Sequence, residues 1–295
     1  MALREQDLDL VDMGVPARVS QRSTARRRRP VHDRAPARRS TVVLLQVVTL
    51  GLLIAAWEVA VRVGLIDPFF WSQPSEVVRE GRAYIPSAAA RADALFTLRS
   101  TLIGFVIGNT IGASIGLSLW WSRLGARVVE PLIVSVHAIP KLAFAPLFVI
   151  VFGLGTQSKV AMVVALTVVS AALSSHAGTK AVDPDLVALL RSLGASRLQV
   201  FRLVVLPSSA PWILAVMRLN IGLALTGAIV GEMVGSREGL GRMIFHAGTV
   251  YNVGKVWVGA LLLAVLAMGM YATIGWLERR VLGGFHLSDG GSTRR

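Results

Sequence analysis

From residue 42 onward the apolar residues come in runs of about 20, not in the alternation of a half-buried strand or the single stripe of a surface helix. That is the length a helix needs to cross the hydrocarbon core of a bilayer. Six such runs are present, over 42–65, 100–121, 131–151, 159–177, 211–230 and 256–277. Asp67-Pro68 closes the first run and Gly153 the third. The expected class is an all-α membrane protein with six transmembrane helices.

Three runs carry marks of how they pack. In the second, Gly104, Gly108, Gly112 and Gly116 recur at every fourth position and so share one helix face. In lipid, helices gain little from hydrophobic attraction, and a row of small residues that lets backbones approach is a main source of association. The third run contains Pro140 and Pro146, each lacking a backbone donor. An interrupted span is tolerated where neighbouring helices or a water-filled path satisfy the freed carbonyls. Between the two prolines stands Lys141. It reads either as lining a path or as snorkelling from a kinked helix to the interface. Arg218 lies about two turns inside the fifth run, and Glu130 and Glu232 lie at the ends of spans, poorly placed to pair with Lys141. Pro140, Lys141, Pro146, Arg218 and Glu232 are the candidate pathway residues.

Between the fourth and fifth runs the pattern changes. Asp183-Pro184 is an N-cap followed by a proline suited to the first helical position. Leu186, Leu189, Leu190 and Leu193 then form one apolar face, and Gly194 stops the helix. After Ala195, Ser196 with Gln199 is a capping box that starts a second helix, expected to run through Leu206 at most and to end before Pro207. Two short amphipathic helices at a bend leave an apolar face in need of a partner.

Charge fixes an orientation. Of 31 Lys and Arg, ten precede Val42, including Arg26-Arg27-Arg28-Arg29. Basic residues beside a first span hold its N-terminus in the cytoplasm. With six spans, the segments on that side hold twenty basic residues and those on the other side eight. The expected domains are a disordered basic cytoplasmic tail over 1–41, a membrane domain over 42–285 whose cytoplasmic loop spans 183–207, and a short cytoplasmic tail over 286–295. A net charge of +14 in so apolar a chain reads as topology and attraction to anionic lipid, with no nucleic acid partner. With no Cys, thiolate metal sites and disulfides are excluded. No metal-ligand cluster, catalytic triad or phosphate loop of the Gly-x4-Gly-Lys-Ser/Thr kind is present, so no cofactor and no catalytic residue is expected.

Gly194, then nine residues, then Val204-Val205-Leu206-Pro207 resembles the loop of permease subunits of binding-protein-dependent ABC importers: Glu-Ala-Ala, three residues, Gly, nine residues, Ile, one residue, Leu-Pro. Ala188-Leu189-Leu190 stand in for Glu-Ala-Ala. Ile139-Pro140-Lys141 through Gly153, Ser158-Lys159, Gly231-Glu232 and Gly239-Leu240-Gly241 look like the nitrate, sulfonate and taurine branch. The resemblance covers about 95–280 and implies the type I importer permease fold. It also implies a coupling role for 183–207, two cytoplasmic ATP-binding subunits, an extracytoplasmic solute-binding protein, and a homodimer whose path lies between two copies in the bilayer. A sulfonate, nitrate or related anion is the substrate the branch implies, with a thiamine-precursor pyrimidine or riboflavin as the alternative. The rival class is a secondary transporter without an ATPase; it calls for span repeats and ionisable relays, which this sequence does not show.

Overall fold

The computed structural model describes residues 39–282, and every regular element among them is helical. The 286–295 segment and nearly all of the 1–41 tail lie outside the described residues. The chain divides at Gly51 into two units. The described part of the first unit is the opening of α1, Arg39–Arg62, whose described side chains there are exposed.

The second unit is built on long helices. After α2 (Pro68–Trp71) and α3 (Pro74–Tyr84) come α4 (Ala88–Ser118), α5 (Arg123–Ala138), α6 (Ala145–Phe152) and α7 (Thr156–Lys180). Then follow α8 (Pro184–Ser192), α9 (Arg197–Val200), α10 (Leu206–Val234), α11 (Leu240–Thr249) and α12 (Val253–Leu282). Five of the six apolar runs fall in helices long and apolar enough to cross a membrane. The other is a pair, Arg123–Ala138 and Lys141–Phe152, bent by 73°. Most boundaries move outward from the apolar runs, though α1 ends at Arg62, three residues short of the first run's end: α4 begins twelve residues before the second run, at the cap formed by Ser87 Oγ, which accepts from Ala90 N–H at 3.0 Å.

The core is α4 against α7 and α10. Phe105, Val163, Ile221, Ala224, Leu225, Ala228, Met270 and Ile274 form its apolar centre. The structure places Gly104, Gly108, Gly112 and Gly116 buried along α4, facing α7. A Cβ at Gly104 would stand 2.5 Å from Val163 Cβ, and one at Gly116 would stand 2.8 Å from His176 N. At Gly108 and Gly112 the overlap would be with Thr167 Oγ1 and Val168 O. Only glycine permits this approach of the two backbones.

A polar cluster crosses the same contact. The Asn220 amide donates to Asn109 Oδ1 at 2.7 Å and to Thr167 O at 3.2 Å, and its own Oδ1 accepts from Ser170 Oγ at 2.6 Å. Asn109 donates onward to Phe105 O at 2.8 Å. Buried amides with their partners supplied cost little to keep and tie α4, α7 and α10 into one block.

A second apolar cluster lies where α3, α11 and α12 meet, formed by Val77, Tyr84, Ala90, Leu240, Met243 and Val258. Neither α3 nor α11 is expected from the apolar runs. Both are short and amphipathic, and their one-sided burial, not their length, makes them helices here.

Candidate functional site

The 183–207 loop is assembled from local contacts. Asp183 Oδ1 accepts from Asp185 N–H at 2.8 Å and starts α8, with Pro184 in its first turn. At the other end Gly194 has φ +82°, Ala195 N–H reaches Leu190 O at 2.9 Å and Gly194 N–H reaches Arg191 O at 3.0 Å. This is a Schellman closure. Ser196 and Gln199 form a reciprocal capping box around the start of α9. Leu186, Leu189 and Leu193 are exposed at 47%, 54% and 74%, whereas Leu190 is half-buried. One turn of the apolar face therefore packs inward, and the rest stands free on the chain.

The expected stop before Pro207 is not found. From α9 the chain passes through a π-turn, Phe201–Val205, directly into α10, with Pro207 in the first turn of α10. A proline inside a helix lacks a donor and clashes with the carbonyl four residues earlier. The wider π-turn relieves that clash, so Leu206 and Pro207 join the loop to the span instead of separating them. The stretch Arg197–Val234 is one helix of 38 residues.

The candidate pathway residues do not converge. Ile139 and Pro140 carry the bend between α5 and α6, and Lys141 opens the 3-10 turn Lys141–Phe144 that follows. Lys141 Nζ donates to His137 O at 3.1 Å and has no carboxylate partner among the described residues. Pro146 does not interrupt a helix; it lies in the first turn of α6, where its missing donor costs nothing. Arg218 pairs with Glu278 of α12. Glu232 is placed elsewhere, 1% exposed inside its own chain.

Around Glu232 lies the most heavily buried ionic group of the described residues. Glu232 Oε2 accepts from Thr97 Oγ1–H at 3.0 Å and from Gly241 N–H at 2.8 Å. Thr97 Oγ1 in turn accepts from Leu240 N–H at 2.9 Å. Asp93 takes Gly239 N–H on Oδ1 at 2.8 Å and the Tyr84 hydroxyl on Oδ2 at 2.6 Å. Burial and the Asp93 carboxylate push the Tyr84 pKa up, so its hydroxyl stays protonated and donating. Lys159, fully buried, donates to Leu154 O at 2.8 Å, to Ser158 Oγ at 3.2 Å and to Gly235 O. The carboxylates thus hold the N-terminus of α11, where backbone donors and the helix dipole favour negative charge. Lys159 ties Gly235 O, in the turn before α11, to Leu154 O, in the connection between α6 and α7. Gly239, at φ +115°, and Gly241 are required because a Cβ at either would overlap the Glu232 side chain. Asp93 and Thr97 escaped the sequence reading, and Lys159 entered it only as the start of a span and as part of the family resemblance. The available signal was Gly239-Leu240-Gly241 beside Glu232, which marks a turn closed over something buried.

A nearly all-helical bundle with one broken span, and a paired-helix loop running straight into a span, define a polytopic α-helical membrane subunit. The family described as "Binding-protein-dependent transport system inner membrane component" matches residues 108–283, and the chain belongs to it. It is 34% identical over 232 residues to the riboflavin transport system permease protein RibX of Chloroflexus aurantiacus, covering 79% of this chain and 87% of that one. It is 28% identical over 247 residues to the taurine transport system permease protein TauC of Escherichia coli, covering 82% and 90%. Its fold is that of a chain of the inward-facing MetNI methionine ABC transporter, with a TM-score of 0.57 at 22% identity over 65% of this chain and 95% of that one. The protein is therefore a multi-pass permease of the ABC importer class, a transmembrane subunit and not itself the catalytic one.

Proposed function

We propose that this chain imports a small anion, a sulfonate, nitrate or related oxyanion, as a homodimer driven by two cytoplasmic ATP-binding subunits and supplied by an extracytoplasmic binding protein. Both termini face the cytoplasm. The 183–207 loop carries the coupling part of this reading: its free leucines, held at a fixed bend, suit a cleft on an ATPase. Leu186, Leu189, Leu193, Gly194, Ala195 and Ser196 form the docking face, Leu190 its inner support, and Leu206-Pro207 the joint to the span. The homodimer is supported by α5, which buries no residue within its own chain.

Lys141 supports the anion. It stands at the break of a bent span with only a backbone carbonyl for a partner. A cation so placed, without a carboxylate among the described residues, suits a passing negative charge. In vesicles containing the ATPase and binding protein, Lys141→Met should transport the anion roughly tenfold more slowly, the worth of one charged hydrogen bond. Lys141→Arg should transport at close to the parental rate. Parental transport by the Met variant would remove the anion reading. The second reading, riboflavin or a thiamine-precursor pyrimidine, draws on the relatives named for riboflavin, at 34% identity, and formylaminopyrimidine, at 29%. It predicts indifference to Lys141 and uptake of the neutral solute. The orientation is tested with single cysteines in this Cys-free chain: an impermeant thiol reagent on intact cells should label Arg237→Cys and spare Ser192→Cys. Labelling at 192 refutes cytoplasmic coupling.

A further inference from the structure

At the end of the bundle that carries α8 and α9, a cavity of about 490 Å³ opens between the start of α5, the end of α7 and the 183–207 loop. Five cationic side chains line it, Arg123, Arg127, Lys180, Arg191 and Arg197, with one carboxylate, Glu130. That carboxylate is already engaged: Lys180 Nζ donates to both of its oxygens at 2.8 Å. Arg123, Arg127 and Arg191 have no ion-pair partner among the described residues. Orientation alone needs only an excess of basic residues on one side of the membrane; it does not need them gathered from three elements around one hollow.

Two further observations point to a ligand. His176, 5% exposed, lines the cavity and brings Nε2 to 3.6 Å from Glu130 Oε2, so that carboxylate is shared with Lys180. The one carboxylate of the hollow is thus taken up by His176 and Lys180, which leaves the charges of Arg123, Arg127 and Arg191 facing it unneutralised. Trp120 and Trp121 stand at the rim, where Arg197 lies over both rings at 5.3 Å and donates to Trp120 O at 3.4 Å and to Trp121 O. Tryptophans at the end of a span sit at the level of lipid headgroups. A basic hollow between transmembrane helices at that level is the setting in which acidic phospholipids are held.

We propose that this cavity binds a phosphate group, supplied by an anionic phospholipid whose headgroup bridges Arg123 and Arg127 of α5 to Arg191 and Arg197 of the loop. The site rests on this chain's geometry alone and stands or falls apart from the transport reading. The full chain is placed in nanodiscs of phosphatidylcholine alone or with added phosphatidylglycerol, and retained lipid is measured by native mass spectrometry beside thermal unfolding. The parent should retain phosphatidylglycerol and unfold at higher temperature in its presence. Each basic side chain near an anionic surface is worth about fivefold, so R123Q/R127Q should retain the lipid about thirtyfold less well. It should unfold like the parent in phosphatidylcholine, since neither arginine is ion-paired among the described residues. Arg191→Gln is the second variant, and Arg237→Gln, at the opposite end, should retain the lipid as the parent does. Equal loss in Arg237→Gln would make the effect one of general charge and overturn the site. Absence of any phosphatidylglycerol effect on the parent would also overturn it, as expected if a partner subunit's acidic side chain were the occupant. Inorganic phosphate that displaces the lipid and reproduces the shift would overturn the lipid as its source.

Discussion

Lys159→Met should leave the full chain about 3–5 kcal/mol less stable, since each buried acceptor left without its donor costs about 1–3 kcal/mol. The ammonium is fully buried and holds Leu154 O, Ser158 Oγ and Gly235 O together. Methionine fills the same volume but leaves those oxygens without a donor. It also removes a buried cation whose charge acts on Glu232, 1% exposed, from beyond ion-pair distance. Thr97 and Gly241 still donate to that carboxylate, so a bundle should form while the 235–241 turn loosens. The double variant Lys159→Met, Glu232→Gln should recover part of the loss, because the second change removes the stranded charge. The single-variant costs should therefore fail to add. Denaturant unfolding of the four proteins in one detergent gives the cycle. A Lys159→Met protein as stable as the parent would mean that the ammonium contributes nothing net.

Gly194→Asp should abolish co-purification of the ATP-binding subunit while leaving the permease inserted. At φ +82° a side-chain-bearing residue costs roughly 1–2 kcal/mol. A Cβ at Gly194 would meet nothing within 4 Å, so the chain itself has room for the change. The larger effect comes from a carboxylate beside the free leucines, which would have to be buried unpaired on docking. Leu193→Asp separates the two causes. Leu193 is 74% exposed and carries no positive-φ penalty, so its loss of co-purification would be the docking effect alone. Normal capture of the ATPase by both variants would refute the coupling assignment.

The features legible in the sequence are those whose partners are near in sequence. Asp183 with Asp185, Leu190 with Ala195 and Ser196 with Gln199 lie within five residues of one another, and the loop they build could be read off as a pattern. The glycine row needed no partner to be recognised, because four residues at a period of four already define a face. The buried ionic group is different in kind. Thr97 meets Glu232 across 135 positions, and Gly239 meets Asp93 across 146. Each residue alone looks like an ordinary polar group near a span end. Lys159 read as the polar start of a span for the same reason. The π-turn was hidden because a proline after an apolar run gives the same sequence signal whether the helix stops or widens.

That π-turn has a mechanical consequence. Because Arg197–Val234 is continuous, the chain beside the leucines and the end that carries Glu232 belong to one rod of 38 residues, about 57 Å at the rise of an α-helix. Its π-turn and its two prolines, Pro207 and Pro211, where such a helix can bend, all lie toward the loop end, and no such interruption follows Pro211. A rod that length tilted by about 5° at one end displaces the other by about 5 Å. The Asp93, Thr97 and Lys159 contacts clamp the turn at that far end, so what arrives there is a shift of the whole α10–α11 corner and not a loosening of it. Force applied on one face of the bilayer would be delivered on the other as leverage, with the glycine-lined seam of α4 and α7 as the nearest fulcrum.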